Sequence, residues 1–155
     1  MVQFFSRLTR SSDRSFFLFG PRATGKSTWL QEVLPRARRL DLLNTRLALE
    51  LTREPHRLES HLGDLKAGDW VVLDEIQKIP ALLDEVHRLM ESRRLRFALC
   101  GSSARKLKRE GANLLAGRAV LRHMEGFSAT ELGNRFDLER ALEWGTLPIV
   151  ISAPG

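Results

Sequence analysis

Gly20-Pro21-Arg22-Ala23-Thr24-Gly25-Lys26-Ser27-Thr28 is the stretch on which the fold turns. It matches G-x-x-x-x-G-K-[ST] at every fixed position. Such a loop wraps a polyphosphate with backbone N–H groups, and glycines allow conformations and close approach that side chains would block. The helix that follows turns its positive dipole end toward the phosphates. Lys26 stands where a cation neutralises the β- and γ-phosphates, and the Ser27 hydroxyl stands where Mg²⁺ is ligated. Gly20, Pro21, Arg22, Ala23, Thr24, Gly25, Lys26, Ser27 and Thr28 are therefore the expected nucleotide-binding residues, with ATP and Mg²⁺ as the expected ligands. A plain glycine turn between a strand and a helix is the alternative. Context weakens it, because the phosphate mechanism requires that same strand–loop–helix setting.

The flanks supply the setting. Ser15-Phe16-Phe17-Leu18-Phe19 is an apolar run without helical spacing, which suits a strand buried on both faces. Lys26 to Leu34 reads as a helix stopped by Pro35. Arg39 to Leu43 reads as a second strand, and Asn44 as the cap of a helix whose leucines recur at Leu47 and Leu51. Pro55 starts a further short helix through Leu62. Trp70-Val71-Val72-Leu73 is a third strand, and Pro80 opens a helix with Leu82, Leu83, Val86, Leu89 and Met90 on its apolar face. Leu95 to Cys100 and Ala119 to Met124 read as the last two strands. Apolar strands alternating with amphipathic helices predict an α/β fold: a parallel sheet of about five strands with helices on both faces. Met1 to Arg14 reads as a short helix at the edge of this domain.

The third strand ends in Asp74-Glu75, at the sheet edge where open α/β folds bind ligands. Asp74 is placed to hold Mg²⁺, directly or through water. Glu75 is placed to orient and deprotonate an attacking water. Two acids capping the next helix are the alternative, but they come too early for that. The paired acids favour hydrolysis over phosphoryl transfer to an acceptor. No N-K-x-D string for a guanine base is present.

The fourth strand ends in Gly101-Ser102-Ser103. Either hydroxyl is a candidate for the γ-phosphate or the water, set against an ordinary turn with local Ser–backbone bonds. Arg118, in Leu115-Ala116-Gly117-Arg118, is a candidate for the transferred phosphoryl group, in cis or across a subunit boundary. In an arginine-rich chain a surface role is its alternative.

Composition sets the outer bounds. The 155 residues, 43% apolar and 28% charged, suit one folded domain that needs no disulfides. The single cysteine, Cys100, lies in an apolar run and reads as a buried small hydrophobe. The net charge of +6 leaves nucleic acid open as a partner beside the simpler reading of solvated basic faces, of which Arg105-Lys106-Leu107-Lys108-Arg109 is the densest. No apolar run approaches the roughly 18 residues of a membrane span, so a cytoplasmic protein without a membrane partner is expected.

Together, Gly20–Thr28, Leu73-Asp74-Glu75-Ile76-Gln77-Lys78, Gly101-Ser102-Ser103-Ala104-Arg105 and Leu115-Ala116-Gly117-Arg118 resemble a known family. It is the prokaryotic AAA-type P-loop ATPase domain found at the N-terminus of proteins with a C-terminal domain of unknown function. The resemblance runs from Phe16 to about Pro148. It implies a three-layer P-loop NTPase fold with strand order 5-1-4-3-2, Mg²⁺-dependent ATP hydrolysis, and Ser102 or Ser103 as the sensor of the γ-phosphate. It raises Arg118 to an arginine finger or sensor, which would make a homo-oligomer the working form if the arginine acts in trans. Gln77 and Lys78 gain a role in linking the nucleotide to a surface loop. A switch with very slow turnover, acting through a partner or a further domain, is the second functional reading. Ala23 departs from the family's frequent Gly, and Gly126 from its frequent Pro. The resemblance implies that the chain is the ATPase part of a longer protein.

Overall fold

The computed structural model describes residues 7–109 and 115–152. Five strands form one sheet: β1 (Phe16–Phe19), β2 (Arg38–Asp41), β3 (Trp70–Asp74), β4 (Arg96–Gly101) and β5 (Val120–His123). Their order is β2-β3-β4-β1-β5, and every pairing is parallel. This is the order 5-1-4-3-2 read from the other side. Parallel pairing brings all the strand C-termini to one edge, with Phe19 level with Gly101 and His123, and Asp41 with Asp74.

Alternate residues of β1 feed two separate cores, as strand geometry requires. Phe16 and Leu18 pack with Trp29 and Leu30 of α1 (Lys26–Val33) on one face. Phe17 and Phe19 pack on the other face with Leu51, Leu58, Leu62 and Leu82. Those four leucines come from α2 (Thr45–Arg53), α3 (Leu58–Leu62) and α4 (Leu82–Ser92). The central strand is thus covered on both sides. Truncating a side chain such as Phe17, which is 1% exposed, costs about 3–5 kcal/mol in such a core.

Local signals set the helix ends. The Asn44 side chain accepts from the Leu47 N–H at 3.1 Å, the expected cap of α2. Arg39 on β2 donates to the carbonyls of Leu30 and Leu34 at 2.7 and 3.0 Å, which satisfies the end of α1. Beyond β4 come α5 (Ala104–Arg109), α6 (Ala129–Leu132), α7 (Leu138–Trp144) and α8 (Pro148–Ile151). Ser128 and Glu131 close a capping box on α6. Leu138, Leu142, Trp144 and Ile149 of the last two helices are exposed.

The expected N-terminal helix does not form within residues 7–14; its first six positions lie outside the described residues. The polar groups of this segment have tertiary partners instead. The Leu8 N–H donates to Glu131 at 2.9 Å, Arg122 donates to the Arg10 carbonyl, and the Arg14 guanidinium donates to the Gly117 carbonyl at 3.2 Å. No helix among the described residues is long and apolar enough to cross a membrane.

Candidate active site

The Gly20–Thr28 loop leaves β1 at the C-terminal edge of the sheet. Gly20 sits against β5: a Cβ there would lie 1.9 Å from the Met124 carbonyl oxygen, so no side chain fits. Its N–H donates to the Gly101 carbonyl, which ties the start of the loop to β4. Gly25, at φ 87°, stands just before α1, while Ala23 holds a left-handed φ of 63° without being glycine. The departure from the family's frequent Gly at 23 therefore carries local backbone strain.

Lys26 is 9% exposed and folds back over its own loop. Its Nζ donates to the carbonyls of Gly20 and Pro21 at 2.7 and 2.6 Å and to Thr24 Oγ1 at 3.3 Å. Thr24 in turn donates to the Pro21 carbonyl at 2.9 Å. The ammonium thus holds the loop in a closed ring, with its charge at the centre of the loop's curve.

Ser27, at the start of α1, donates its hydroxyl to Asp74 Oδ2 at 2.9 Å. The two residues are 47 positions apart in sequence. Asp74 Oδ1 accepts from the Glu75 N–H at 2.9 Å, so both carboxylate oxygens are oriented. Glu75 itself has φ 60° and ψ 41°, a left-handed conformation that a glutamate adopts only where its surroundings impose it. Asp74 also influences Cys100. Burial, and then the Asp74 carboxylate, push the thiol well above its ordinary range, so Cys100 stays neutral. The expectation of a buried, inert cysteine agrees with this.

The structure separates the two serines. Ser103 Oγ accepts from the Arg105 N–H at 3.1 Å, the local turn bond that was the alternative reading. Ser102 Oγ instead accepts from Gln77 Nε2 at 3.2 Å, and the same nitrogen donates to Glu75 Oε2. Ser102 and Ser103 line an open cleft of about 410 Å³ beside Gly20 and Pro21. Arg105, Lys108 and His123 also face it. These last three were not predicted as site residues. The Gly-Ser-Ser-Ala-Arg string and the basic run Arg105–Arg109 were the signals for Arg105 and Lys108, and His123 became visible only when β5 was seen to pair with β1.

Arg118 is not brought to the loop of its own chain. It precedes β5, whose first residue pairs with Phe16 at the start of β1. It therefore lies at the opposite edge of the sheet, about 13 Å or more away along the four residues of the strand. There its Nε donates to Glu91 Oε1 at 2.9 Å, and 43% of its side chain is exposed.

A family model described as an AAA domain matches residues 12–133. The chain belongs to that family. Membership brings nucleotide binding and ATPase-type activity as the general property of the AAA domain. Solved structures similar in fold include the ORC2 protein of Aeropyrum pernix in ADPNP–ADP complexes. It is 17% identical with a TM-score of 0.53 over 77% of this chain and 44% of that one. The ORC1 protein of the same organism, solved with DNA, is 19% identical with a TM-score of 0.53 over 84% of this chain and 44% of that one. The AAA domain chain thus spans less than half the length of either protein. No curated protein matches it in sequence.

The donor set suits a magnesium nucleotide. Mg²⁺ is normally held by one or two protein oxygens, water and substrate phosphates rather than by a full protein cage. A serine hydroxyl and an aspartate oxygen in contact beside a phosphate loop are such a pair. Among the described residues no group of three or more His, Cys, Asp or Glu forms a cage of another kind.

Proposed function

We propose that this AAA domain binds ATP with Mg²⁺ and hydrolyses it to ADP and phosphate. One observation carries the reading: the 2.9 Å contact between Ser27 Oγ and Asp74 Oδ2, which joins the loop to the acidic strand end with Glu75 next in sequence. In this reading the loop amides and Lys26 bind the β- and γ-phosphates. Lys26 Nζ exchanges its carbonyl partners at Gly20 and Pro21 for phosphate oxygens, which gain more from a cation. Bound Mg²⁺, held by Ser27 and Asp74, supplies charge neutralisation for the phosphates. Glu75 accepts a proton from a water as that water attacks the γ-phosphorus. The bond from the γ-phosphorus to the bridging oxygen breaks, ADP leaves with that oxygen, and the proton passes from Glu75 to solvent. Ser102 donates to the γ-phosphate. Ser102 takes this part rather than Ser103 because its oxygen is joined through Gln77 to Glu75, whereas the Ser103 oxygen accepts within its own turn.

Arg118 acts in trans in this proposal, on the nucleotide of a second copy. Its exposure and its place at the far edge of the sheet support that reading over the cis one. The isolated chain then behaves as a nucleotide-bound switch of slow turnover, and assembly raises the rate. The ORC1 structure contains DNA, and DNA is one candidate scaffold for assembly. The chain being one part of a longer protein belongs to the same proposal. Phosphate release with Mg²⁺, measured against protein concentration and with and without DNA, tests it. Turnover that rises with concentration is expected. No Mg²⁺-dependent ATP binding at any concentration would overturn it.

A further inference from the structure

Gln77 is a buried polar side chain at the site that binding and hydrolysis, as described, leave unused. It is 8% exposed and follows β3 by three residues. Its Nε2 carries two hydrogens, and both are committed: one to Glu75 Oε2, one to Ser102 Oγ. Its Oε1 is buried with no hydrogen-bond partner. It lies against Gly101, where a Cβ would come within 2.2 Å of it. The opposite orientation of the amide would face its carbonyl oxygen to the Glu75 carboxylate, two acceptors in contact, so the electrostatics select the one observed.

The amide fixes a direction at each partner. A serine hydroxyl that accepts from an amide keeps its own O–H to donate, and Ser102 lines the cleft beside Gly20 and Pro21. A carboxylate with one oxygen held by an amide keeps the other as the free acceptor. The left-handed backbone at Glu75 turns this short chain so that residues 75 and 77 meet. A buried acceptor without a partner costs about 1–3 kcal/mol. The fold bears that cost at Oε1 while keeping the two donor contacts.

We propose that Gln77 is a positioning residue that couples Ser102 to Glu75, presenting the serine as a donor to the γ-phosphate and the glutamate's second oxygen as the acceptor for water. This rests on the reading of the site as an ATPase. ATP then differs from ADP at Gln77 as well as at Ser102: a γ-phosphate that draws on the Ser102 hydroxyl strengthens the amide contact behind it, and with it the hold on Glu75.

The test uses the whole chain with Mg²⁺ and the variants Gln77→Met and Gln77→Glu. Methionine has the length of glutamine and donates nothing. Gln77→Met is expected to keep its melting temperature and ADP affinity, to lose about tenfold or more in kcat with KM changed far less, and to lose preference for a slowly hydrolysed ATP analogue over ADP. Ser102→Ala is expected to lower that preference in the parent but to change it less than about twofold in the Gln77→Met background, the mark of two residues acting as one unit. Gln77→Glu, which keeps the shape and sets a carboxylate against Glu75, is expected to be the slower enzyme of the two and serves alone if Gln77→Met does not fold. Parental kcat and parental ATP-over-ADP preference in either variant, or equal effects of Ser102→Ala in both backgrounds, would overturn the proposal. A parent that binds ATP without hydrolysing it would defeat the ATPase reading only, because the affinity ratios still decide the role of Gln77.

Discussion

The two edges of the sheet are built differently. At the C-terminal edge two residues other than glycine, Ala23 and Glu75, hold left-handed backbone, and Lys26 and Gln77 are buried polar side chains. At the opposite edge Arg118 and Glu91 form an ion pair with 43% and 63% of their side chains exposed. Left-handed residues other than glycine also occur at the opposite edge, Arg94 just before β4 and Leu115 three residues before Arg118, so backbone strain alone does not separate the edges. A buried charge, Lys26, against an exposed ion pair does. A buried charge persists only where surrounding groups satisfy it, as the carbonyls of Gly20 and Pro21 do for Lys26. The proposed division of labour rests on this contrast: the nucleotide at the loop edge and a second copy at the Arg118 edge.

The sharpest way to break this comparison is Lys26→Ala. It removes the only ammonium at the centre of the loop, and ATP affinity measured by calorimetry with Mg²⁺ should fall by about 100-fold or more. An affinity equal to the parent's would mean that the loop edge is not the nucleotide site. Next in size is Glu75→Gln, which keeps the shape and loses the base. Phosphate release should drop by about 100-fold while ATP binding stays near the parental value. Parental turnover would make the strained backbone at Glu75 a structural feature only.

Arg118→Ala addresses the other edge. Its ion pair is exposed, so stability should change by about 0.5 kcal/mol or less in chemical denaturation. Turnover should nonetheless fall at concentrations where copies meet. Mixing Arg118→Ala with Lys26→Ala chains should restore part of it, since one copy brings an intact loop and the other an intact arginine. Unchanged turnover and no complementation would return Arg118 to an ordinary surface residue.

Two smaller effects sharpen the picture of strain. Ala23→Gly should raise stability by about 0.5–1 kcal/mol in thermal unfolding, since relief of the left-handed penalty exceeds the added freedom of the unfolded chain. The second concerns the N-terminal strap. Arg7 bridges the Thr24 carbonyl of the loop, the carbonyls of Glu125 and Gly126, and the Glu131 carboxylate. Burial pushes the Glu131 carboxyl up, but the N–H groups of Ser128 and Leu8 and the Arg7 charge outweigh it and hold it below its ordinary 4.5. A carboxylate lowered by folding stabilises the fold above its unfolded value and loses that contribution as pH falls through the folded one. Melting temperature should therefore decline below about pH 4.5 less steeply in Glu131→Gln than in the parent.

Much of this was legible in the residues. The apolar runs of β1, β3 and β4 needed no context, because strands buried on both faces admit little else. Asn44 announced its helix through an oxygen that can accept only locally. The strand order came through family likeness, not through periodicity, which carries no information about which strands are neighbours. Residues 7–14 do not form the expected helix because the partners of Leu8 and Arg10 lie more than a hundred residues away.

Sequence by itself determined that this chain has a glycine loop ending in Lys26 and Ser27 and a strand ending in Asp74 and Glu75, because local chemistry and spacing suffice for each. Tertiary structure alone decided how they meet. It set Ser27 against Asp74, turned Ser102 toward Gln77 while Ser103 closed its own turn, and carried Arg118 to the far edge. The reason is that parallel strands bring like ends together over any sequence separation, and only pairing order decides which side chains share an edge.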